Sequence, residues 1–322
     1  MLKAALLLSI APLLLAAQPA PEVAKIWDAG AHNAFTDLIR YQNRLFCAFR
    51  EAAKHQVSPD GKIRVLASSD GRQWSSAALL SSGLGDLRDP HLSSTPSGEL
   101  MLVAAIAFNP GAPHRHQTFA FFSRDGVKWS EPAPIGDPDY WLWRVAWHKN
   151  KAYAVGYPTL ASGKPARLYH SSDGRSFQSL VSELDVPDAP NETAFAFLPD
   201  DTMLILARRG LNSKTAVLLS ARPPYTAWTW DDLGQQLGGP ALLRLPDGRL
   251  LAAGRIHPEG GSRTALLWLD PAQKQFRQIL VLPSKSDTSY PGLVFENGEL
   301  LVSYYSSHEG KTSIYFARVR LE

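Results

Sequence analysis

Three copies of one short turn constrain the fold of this chain more than any other feature of its sequence. The copies are Ser68–Trp74, Ser123–Trp129 and Ser171–Phe177, and each follows the pattern Ser-x-Asp-Gly-x-x-aromatic. Their closing aromatic residues lie 55 and 48 residues apart. Asp-Gly between strand-like segments is typical of a tight turn, and a repeat of about 50 residues with several short strands is typical of a β-propeller. We therefore interpret the chain as a series of similar β-sheet units.

A second set of turns gives the number of units. Turn-forming pairs separate apolar, strand-like runs at six places, which end at positions 43, 98, 150, 201, 248 and 298. Their spacings of 55, 52, 51, 47 and 50 residues match the period of the Asp-Gly turns, and such pairs are the usual chemistry of β-hairpins. The sequence thus predicts an all-β fold, a six-bladed β-propeller with four-stranded antiparallel blades.

The sixth unit has only three predicted strands, the last of them over residues 313–319. The segment Val23–Trp27 alternates like a strand and belongs to no unit of its own. We predict that it pairs with the sixth unit and closes the ring, because closure removes open sheet edges. The predicted organisation is a signal peptide over residues 1–20 and one propeller domain over residues 21–322.

Composition narrows the class of protein. The formal net charge is only +3 and the basic residues are scattered, so we expect no nucleic-acid partner. Lys3, the apolar run 4–15 and the small residues Ala16 and Ala17 are typical of a secretory signal peptide. We predict an exported monomer, periplasmic or extracellular, without membrane insertion after signal cleavage. Cys47 is the single cysteine and lies in an apolar run, so we interpret it as a buried thiol.

Aligning the six units brings arginines together. Positions seven residues after each hairpin turn should form a ring at one end of the central channel, and they are Arg50, Ala105, Tyr157, Arg208, Arg255 and Tyr305. Clustered arginines are costly to bury unless an anion shares the site, and a guanidinium group matches a carboxylate bidentately. We expect at least two of the three arginines to bind an acidic ligand. The alternative is that each arginine pairs with a nearby acid, Arg50 with Glu51 and Arg208 with Glu192.

The starts of the first strands should lie at the same end of the channel and carry further polar residues. These are Asp37, Arg88, Asp89, His91, Arg144, Glu192 and Tyr290. Carboxylates at a channel mouth serve as general acids or bases, so Asp37 and Glu192 are catalytic candidates. The alternative is that they form ion pairs with arginines such as Arg144. Tyr290 is either a nucleophile or a core aromatic residue.

Aromatic residues and histidines complete the set of candidates. Trp141 and Trp143 alternate along a strand, so we expect one of them to be exposed at the rim, where a sugar could stack. Tyr305 is either a packing residue or part of the binding surface. The histidines have no tight metal-ligand spacing, and we therefore expect no metal and no cofactor.

The repeated turn is the Asp-box of the sialidase-like proteins, also called the BNR repeat, and nearly the whole predicted mature chain resembles that family. The resemblance implies a six-bladed propeller whose Asp-boxes lie on the outer side of the blades, away from catalysis. Leu45–Glu51 is similar to the segment after the first strand of the family. Glu192 followed by Arg208 looks like the glutamate strand, and Tyr290 followed by Asn297-Gly298 looks like the tyrosine strand.

This resemblance implies roles for the residues that match. Tyr290 would be the nucleophile, and Glu192 would take its proton, since an unperturbed tyrosine is neutral at pH 7. Arg208 and Arg255 would hold a carboxylate. The acid/base aspartate of the family would correspond to Asp37 or Asp89, which are the nearest candidates.

One departure concerns the first strand. The family carries an Arg-Ile-Pro segment there, whose arginine leads the triad, whereas this chain has Ala34–Leu38 without an arginine. We expect Arg50 to replace it. Arg144, Asp89, Trp143 and Tyr305 are the remaining residues that we expect to contact substrate.

The sequence thus leads us to expect a secreted glycoside hydrolase of sialidase-like fold. Its partner would be an acidic glycan or glycoconjugate, from which it would cleave a terminal acidic sugar, with sialic acid as the first choice. Two alternatives stay open. One is a polysaccharide lyase or hydrolase that acts on uronic acids, and the other is a non-catalytic carbohydrate-binding propeller.

Overall fold

A computed structural model describes residues 20–160, 164–188, 190–210 and 213–321. These residues form twenty-four strands in six four-stranded antiparallel sheets. Within the described residues there is no helix of the length and hydrophobicity needed to cross a membrane. The predicted signal peptide, apart from Ala20, lies outside the described residues and stays a prediction.

Each sheet is one blade of a six-bladed propeller, as predicted. The first three blades are β2 (His32–Tyr41), β3 (Arg44–Ala52), β4 (Lys62–Ser68) and β5 (Ser75–Leu80); β6 (Gly85–Ser94), β7 (Leu100–Phe108), β8 (His116–Ser123) and β9 (Ala133–Ile135); and β10 (Tyr140–His148), β11 (Lys151–Pro158), β12 (Arg167–Ser171) and β13 (Gln178–Val181). The last three are β14 (Pro190–Phe197), β15 (Met203–Arg209), β16 (Thr215–Ala221) and β17 (Thr229–Gln236); β18 (Gly238–Arg244), β19 (Leu250–Ile256), β20 (Arg263–Asp270) and β21 (Gln275–Val281); and β22 (Thr288–Glu296), β23 (Glu299–Ser306), β24 (Ser313–Arg320) and β1 (Glu22–Trp27).

The ring is closed by the N-terminal strand, which confirms the prediction. β1 pairs antiparallel with β24, from Glu22 opposite Arg318 to Trp27 opposite Ile314. Trp27 also packs on Phe49 of the first blade, with the ring centroids 6.2 Å apart. The outermost strand of the sixth blade therefore links the last blade to the first.

Apolar side chains fill the space between neighbouring blades. The described residues form six large buried clusters, one at each of the six junctions, including the junction between the sixth blade and the first. Cys47 lies in the cluster at the closing junction and is fully buried, as its apolar neighbours indicate. Burial of this kind is the main favourable contribution to the stability of a sheet protein.

The three Asp-boxes share one hydrogen-bonding pattern. In the first, Asp70 Oδ1 accepts from the backbone amides of Arg72 and Gln73 at 2.8 and 3.0 Å, and Ser68 Oγ accepts from the Gly71 amide at 2.8 Å. Gly71 has a left-handed φ of 69°, which favours glycine. The equivalent Gly126 packs on the first blade, since an added Cβ would lie only 2.2 Å from Phe46 Cε1. The boxes thus stabilise the turns and the contacts between blades.

The Asp-boxes and the candidate site lie at opposite ends of the channel. In an antiparallel four-stranded blade, the turn after the first strand and the turn after the third strand lie at the same end. Tyr41 at the first such turn donates from its hydroxyl to the carbonyls of Gly98 and Arg124, which belong to the corresponding turns of the next blade. The starts of the first strands and the loops after the second strands therefore form the other mouth.

Candidate active site

The innermost strand of every blade carries an irregularity at the same place. The ladder between the first two strands shifts between Ala34/Asp37, Arg88/His91, Leu142/Val145, Pro190/Thr193, Gly238/Ala241 and Ser289/Gly292. A β-bulge leaves residues unpaired and redirects their side chains. In four blades a bulge residue is left-handed, with φ of 64° at Phe35, 53° at Asp89, 56° at Gly239 and 48° at Tyr290. Such angles are uncommon outside glycine and are found at functional sites.

Glu192 is the centre of the resulting cluster. Its Oε1 accepts from the Tyr290 hydroxyl and from Arg208 Nη1, both at 2.5 Å, and its Oε2 accepts from the Gly239 amide at 2.7 Å. Three bulges therefore meet at one carboxylate. Gly239 permits this approach because a Cβ there would lie 2.6 Å from Ser289 Oγ.

Tyr290 is held from several sides. Its ring lies 5.1 Å from Phe35, 5.5 Å from Trp143 and 6.0 Å from Tyr305, and its carbonyl accepts from Thr36 Oγ1 at 2.6 Å. Burial and the nearby Glu192 raise the pKa of Tyr290 well above its usual value, although Arg208 opposes the shift. The phenol is therefore neutral and can act as a nucleophile only while Glu192 takes its proton.

Asp89 is a second carboxyl group with a distinct environment. It is 5% exposed, and its Oδ1 has no hydrogen-bond partner among the described residues. Burial raises its pKa to about 6, while Arg88, with Nε 3.7 Å from Asp89 Oδ2, opposes that shift. A carboxyl group that is partly protonated near neutral pH is suited to proton donation.

Two guanidinium groups contact these carboxyl groups, and a third lies at the same mouth of the channel. Arg208 binds Glu192, and Arg88 reaches Asp89 and lies 5.3 Å from the centroid of the Phe35 ring. Arg255 Nη1 donates to the Thr288 carbonyl at 3.3 Å, and no described carboxylate lies within ion-pair distance of it. Arg88 Nη1 also lies 3.5 Å from Asp86 Oδ2. Counted with Arg50, which pairs with Asp86, four arginines face three carboxyl groups, an excess of one charge when all three carboxyl groups are ionised.

Arg50 lies outside this group. It is fully buried and forms a bidentate pair with Asp86, with both N–O distances 2.7 Å, rather than with Glu51. Buried guanidinium groups require such a partner. Arg50 therefore does not replace the missing arginine of the first strand. Arg88, which we placed at the mouth without a role, lies 5.3 Å from the centroid of the Phe35 ring, and Arg50 lies 5.9 Å from the same centroid.

The expectation that Arg50, Arg208 and Arg255 share one ring position is wrong. On the second strands, the residues opposite the start of each bulge are Arg50, Ala105, Gly156, Arg209, Arg255 and Tyr305. Tyr157 and Arg208 are each displaced from this ring by one residue. Since neighbouring residues of a strand face opposite ways, Arg209 turns away and pairs with Asp232, whereas Arg208 reaches Glu192.

Asp37 and Arg144 form an ion pair beneath the cluster. Asp37 is 1% exposed, its carboxylate lies 3.1 Å from Arg144 Nη1, and it accepts from the Leu92 amide at 2.7 Å. His91 Nδ1 lies 3.6 Å from it. Asp37 is thus held in an ion pair with Arg144, which is the alternative that the sequence left open for it. Asp89, whose Oδ1 has no hydrogen-bond partner among the described residues, is therefore better placed to act as the acid.

The tryptophans differ from expectation as well. Trp141 and Trp143 are only 8% and 2% exposed, so the prediction that one is exposed at the rim is wrong. Residues two apart on a regular strand face the same side, so alternation could not separate the two rings, and both pack into one aromatic cluster at the bulge between Leu142 and Val145. Trp141 stacks on Tyr157 with centroids 6.1 Å apart. Tyr305 is also fully buried, behind Tyr290, and donates to Asp287 Oδ1 at 3.1 Å.

The chain matches one family model, described as a BNR repeat-like domain, over residues 43–302. A comparison with curated protein sequences found no match. Among solved structures, a Dyadobacter fermentans protein of unknown function is 20% identical, with a TM-score of 0.80 and coverage of 94% of this chain and 98% of that chain.

Two enzymes share the fold. The Penicillium chrysogenum alpha-L-arabinanase complexed with arabinobiose is 15% identical, with a TM-score of 0.72 and coverage of 92% of this chain and 98% of that chain. The Trypanosoma rangeli sialidase in complex with the inhibitor DANA is 11% identical, with a TM-score of 0.73 and coverage of 94% of this chain but only 60% of that chain. At these identities the likeness shows the fold alone.

Proposed function

The chain belongs to the BNR repeat-like, sialidase-like propeller family, and from this premise we propose that it is a glycoside hydrolase in which Tyr290 and Glu192 form the nucleophilic pair. The observation that carries the proposal is the 2.5 Å hydrogen bond from the Tyr290 hydroxyl to Glu192 Oε1. A nucleophile in hydrogen-bond contact with a base that is itself oriented by other groups is the pattern of covalent catalysis. Arg208 and the Gly239 amide orient Glu192 here.

The proposed reaction has two steps. In the first, Tyr290 Oη bonds to the anomeric carbon while the bond to the leaving oxygen breaks. Glu192 takes the phenolic proton, and Asp89 gives its proton to the leaving oxygen. In the second, a water molecule attacks the anomeric carbon and gives a proton to Asp89, while Tyr290 leaves and recovers its proton from Glu192. This exchange of roles follows from microscopic reversibility.

The substrate that we propose first carries a negative charge, such as a sialoside. Arg50, Arg88, Arg208 and Arg255 exceed the ionised carboxyl groups of Asp86, Asp89 and Glu192 by one charge, and by two while Asp89 holds its proton, which an anionic sugar would balance. Burial, Arg255 and Arg208 together lower the pKa of His257, which is consistent with a positive potential at this mouth. A neutral phenol also avoids the repulsion that a carboxylate nucleophile would exert on an anionic sugar.

A neutral furanoside is the second candidate, and Phe35 favours it. This apolar ring lies in Ala34–Leu38, the stretch that resembles the arginine-bearing segment of the sialidases but has no arginine, and Arg88 and Arg208 are already paired with Asp89 and Glu192. A propeller with an aromatic wall in place of one cation suits a sugar without a carboxylate. The arabinanase with the same fold acts on such sugars, as its bound arabinobiose indicates.

Hydrolysis of a matched pair of fluorogenic substrates tests the proposal. The purified chain is assayed with an α-sialoside and an α-L-arabinofuranoside of the same leaving group, and unsaturated product is measured with uronic-acid polymers. We expect release from the sialoside, abolished in Tyr290→Phe and retained in Tyr304→Phe, a buried tyrosine whose hydroxyl donates to Pro283. Release from the arabinofuranoside alone would favour the second candidate. Unsaturated product would indicate a lyase, and binding without any release would contradict catalysis.

A further inference from the structure

Two histidines and an aspartate that the proposed mechanism does not use lie together at the junction of the first and last blades. His32 is at the start of β2, His55 is in the loop between β3 and β4, and Asp287 precedes β22. Asp287 Oδ2 lies 2.8 Å from His32 Nε2 and 2.8 Å from His55 Nδ1. One ligand atom from each residue lies within 4.8 Å of the others. We propose that these residues bind a divalent first-row transition-metal ion.

The donor set selects the class of ion. Imidazole nitrogens with one carboxylate suit Zn²⁺, Fe²⁺ or Co²⁺, whereas Ca²⁺ and Mg²⁺ prefer oxygen ligands. Bonds of about 2.0–2.2 Å to Zn²⁺ place neighbouring ligand atoms roughly 3–3.5 Å apart. The two observed separations of 2.8 Å are a few tenths shorter, so small side-chain rotations would open the cluster around an ion.

The surroundings orient the proposed ligands. Asp287 Oδ1 accepts from the Tyr305 hydroxyl at 3.1 Å, which fixes the carboxylate and leaves Oδ2 directed at the histidines. Such outer hydrogen bonds are typical of metal sites. His32 Nδ1 is buried without a hydrogen-bond partner among the described residues, so this outer hydrogen bond is present on Asp287 and absent on His32.

The cluster is closed on one side and open on the other. The side chain of His32 is 10% exposed, that of Asp287 27% and that of His55 42%. An ion would therefore keep one or more open positions toward solvent on the side of His55. This side borders the candidate active site, because His55 packs edge-on against Phe35 at 5.1 Å and its carbonyl accepts from Arg88.

The position of the site predicts a consequence for stability. A bound ion would link His32 and His55 of the first blade to Asp287 of the sixth, across the junction that β1 also closes. An ion that binds only the folded chain stabilises it in proportion to the logarithm of its concentration over Kd. The midpoint of thermal unfolding should therefore rise with added metal.

Titration of the chelator-treated full chain with ZnCl2 by isothermal calorimetry tests the proposal. We expect one ion per chain with micromolar or tighter affinity, a higher melting temperature, and an affinity lowered about tenfold or more in His55→Ala. His114→Ala is the matched control, since His114 also contacts an aspartate, with Nδ1 3.2 Å from Asp139 Oδ2, but has no third ligand beside it among the described residues. It should bind zinc as the unmodified chain does.

A second probe reports on coordination directly. Co²⁺ bound by two histidines and one aspartate should give a visible absorption band that is lost in Asp287→Asn, with folding checked by circular dichroism. Absence of zinc binding at millimolar concentration would overturn the proposal. So would equal affinity in His55→Ala and the unmodified chain, because the three residues would then form only a hydrogen-bonded cluster.

Discussion

Replacing Asp89 by asparagine should stabilise the chain increasingly as the pH rises. Asp89 is buried, and its pKa is raised from 3.8 to about 6 in the folded state. Between these two values the folded chain keeps a proton that the unfolded chain has lost, so the free energy of unfolding falls with increasing pH. Asparagine keeps the shape of the side chain and cannot ionise, which removes this loss.

The size of the effect follows from the two pKa values. Above pH 6, ionised Asp89 costs about 3 kcal/mol, since a tenfold difference in the acid dissociation constant corresponds to about 1.4 kcal/mol. Linkage from the same values gives a cost of about 2 kcal/mol at pH 5 and about 3 kcal/mol at pH 8. The advantage of Asp89→Asn should therefore grow by roughly 1 kcal/mol between these conditions.

Urea unfolding of both proteins at pH 5 and pH 8 measures this difference, and contributions that do not depend on pH cancel. Glu131→Gln, which changes an exposed carboxyl group, is the control and should show a difference near zero. If the advantage of Asp89→Asn is the same at both pH values, Asp89 is not a buried acid of raised pKa. The corresponding kinetic expectation is that hydrolysis is lost in Asp89→Asn and that kcat/KM of the unmodified enzyme falls as the pH rises through about 6.

Three further predictions concern the ring and the arginines. Deletion of residues 22–28 should lower the free energy of unfolding by about 2–4 kcal/mol, because β1 contributes three half-buried apolar side chains; an unchanged melting temperature would contradict closure by this strand. Arg50→Met should cost about 3 kcal/mol by removing the bidentate partner of buried Asp86, which keeps only Arg88 at 3.5 Å and the Ser58 amide, and Asp86→Leu added to it should restore most of the loss; a cost below about 1 kcal/mol in urea unfolding would argue against the buried pair. Arg255→Ala should weaken calorimetric binding of an acidic sugar by about 1.5–3 kcal/mol, and equal affinity would contradict the proposed anion site.

The repeated turns were sufficient to predict the blades because they are local. An Asp-Gly turn and its aromatic partner lie within seven residues, and Asp70 makes its hydrogen bonds to the residues that follow it. The pairing of β1 with β24 was also predictable, since the sixth unit had three strands and the first segment had no partner. Such inferences need only periodicity and turn chemistry.

The site was less predictable because it depends on register. The number of residues between the hairpin turn and the bulge differs by one between blades, so that Arg209 and not Arg208 is equivalent to Arg255. A shift of one residue turns a side chain to the opposite face. The sequence identified Arg208 through its resemblance to the family, but it could not show that the counted ring was wrong.

Contacts between distant segments were also beyond the sequence. Arg50 pairs with Asp86 of the next blade, and His32, His55 and Asp287 meet across the closing junction. The members of each group lie far apart in the sequence, so no short motif predicts that they meet. For this reason the spacing of the histidines did not indicate a metal site. The sequence did contain a pattern that could have identified Asp89. Asp89-Pro90 and Tyr290-Pro291 occupy the same bulge position in their blades.

Trapping of the glycosyl-enzyme intermediate tests the central claim most directly. A fluorinated sugar with a good leaving group, chosen from the class that the substrate assay identifies, is incubated with the enzyme, and the protein is then digested for peptide mass spectrometry. We predict one sugar on Tyr290, a slower rate of labelling in Glu192→Gln and no labelling in Tyr290→Phe. A sugar attached to a carboxylate instead, or full hydrolytic activity in Tyr290→Phe, would contradict the assignment of Tyr290 as the nucleophile.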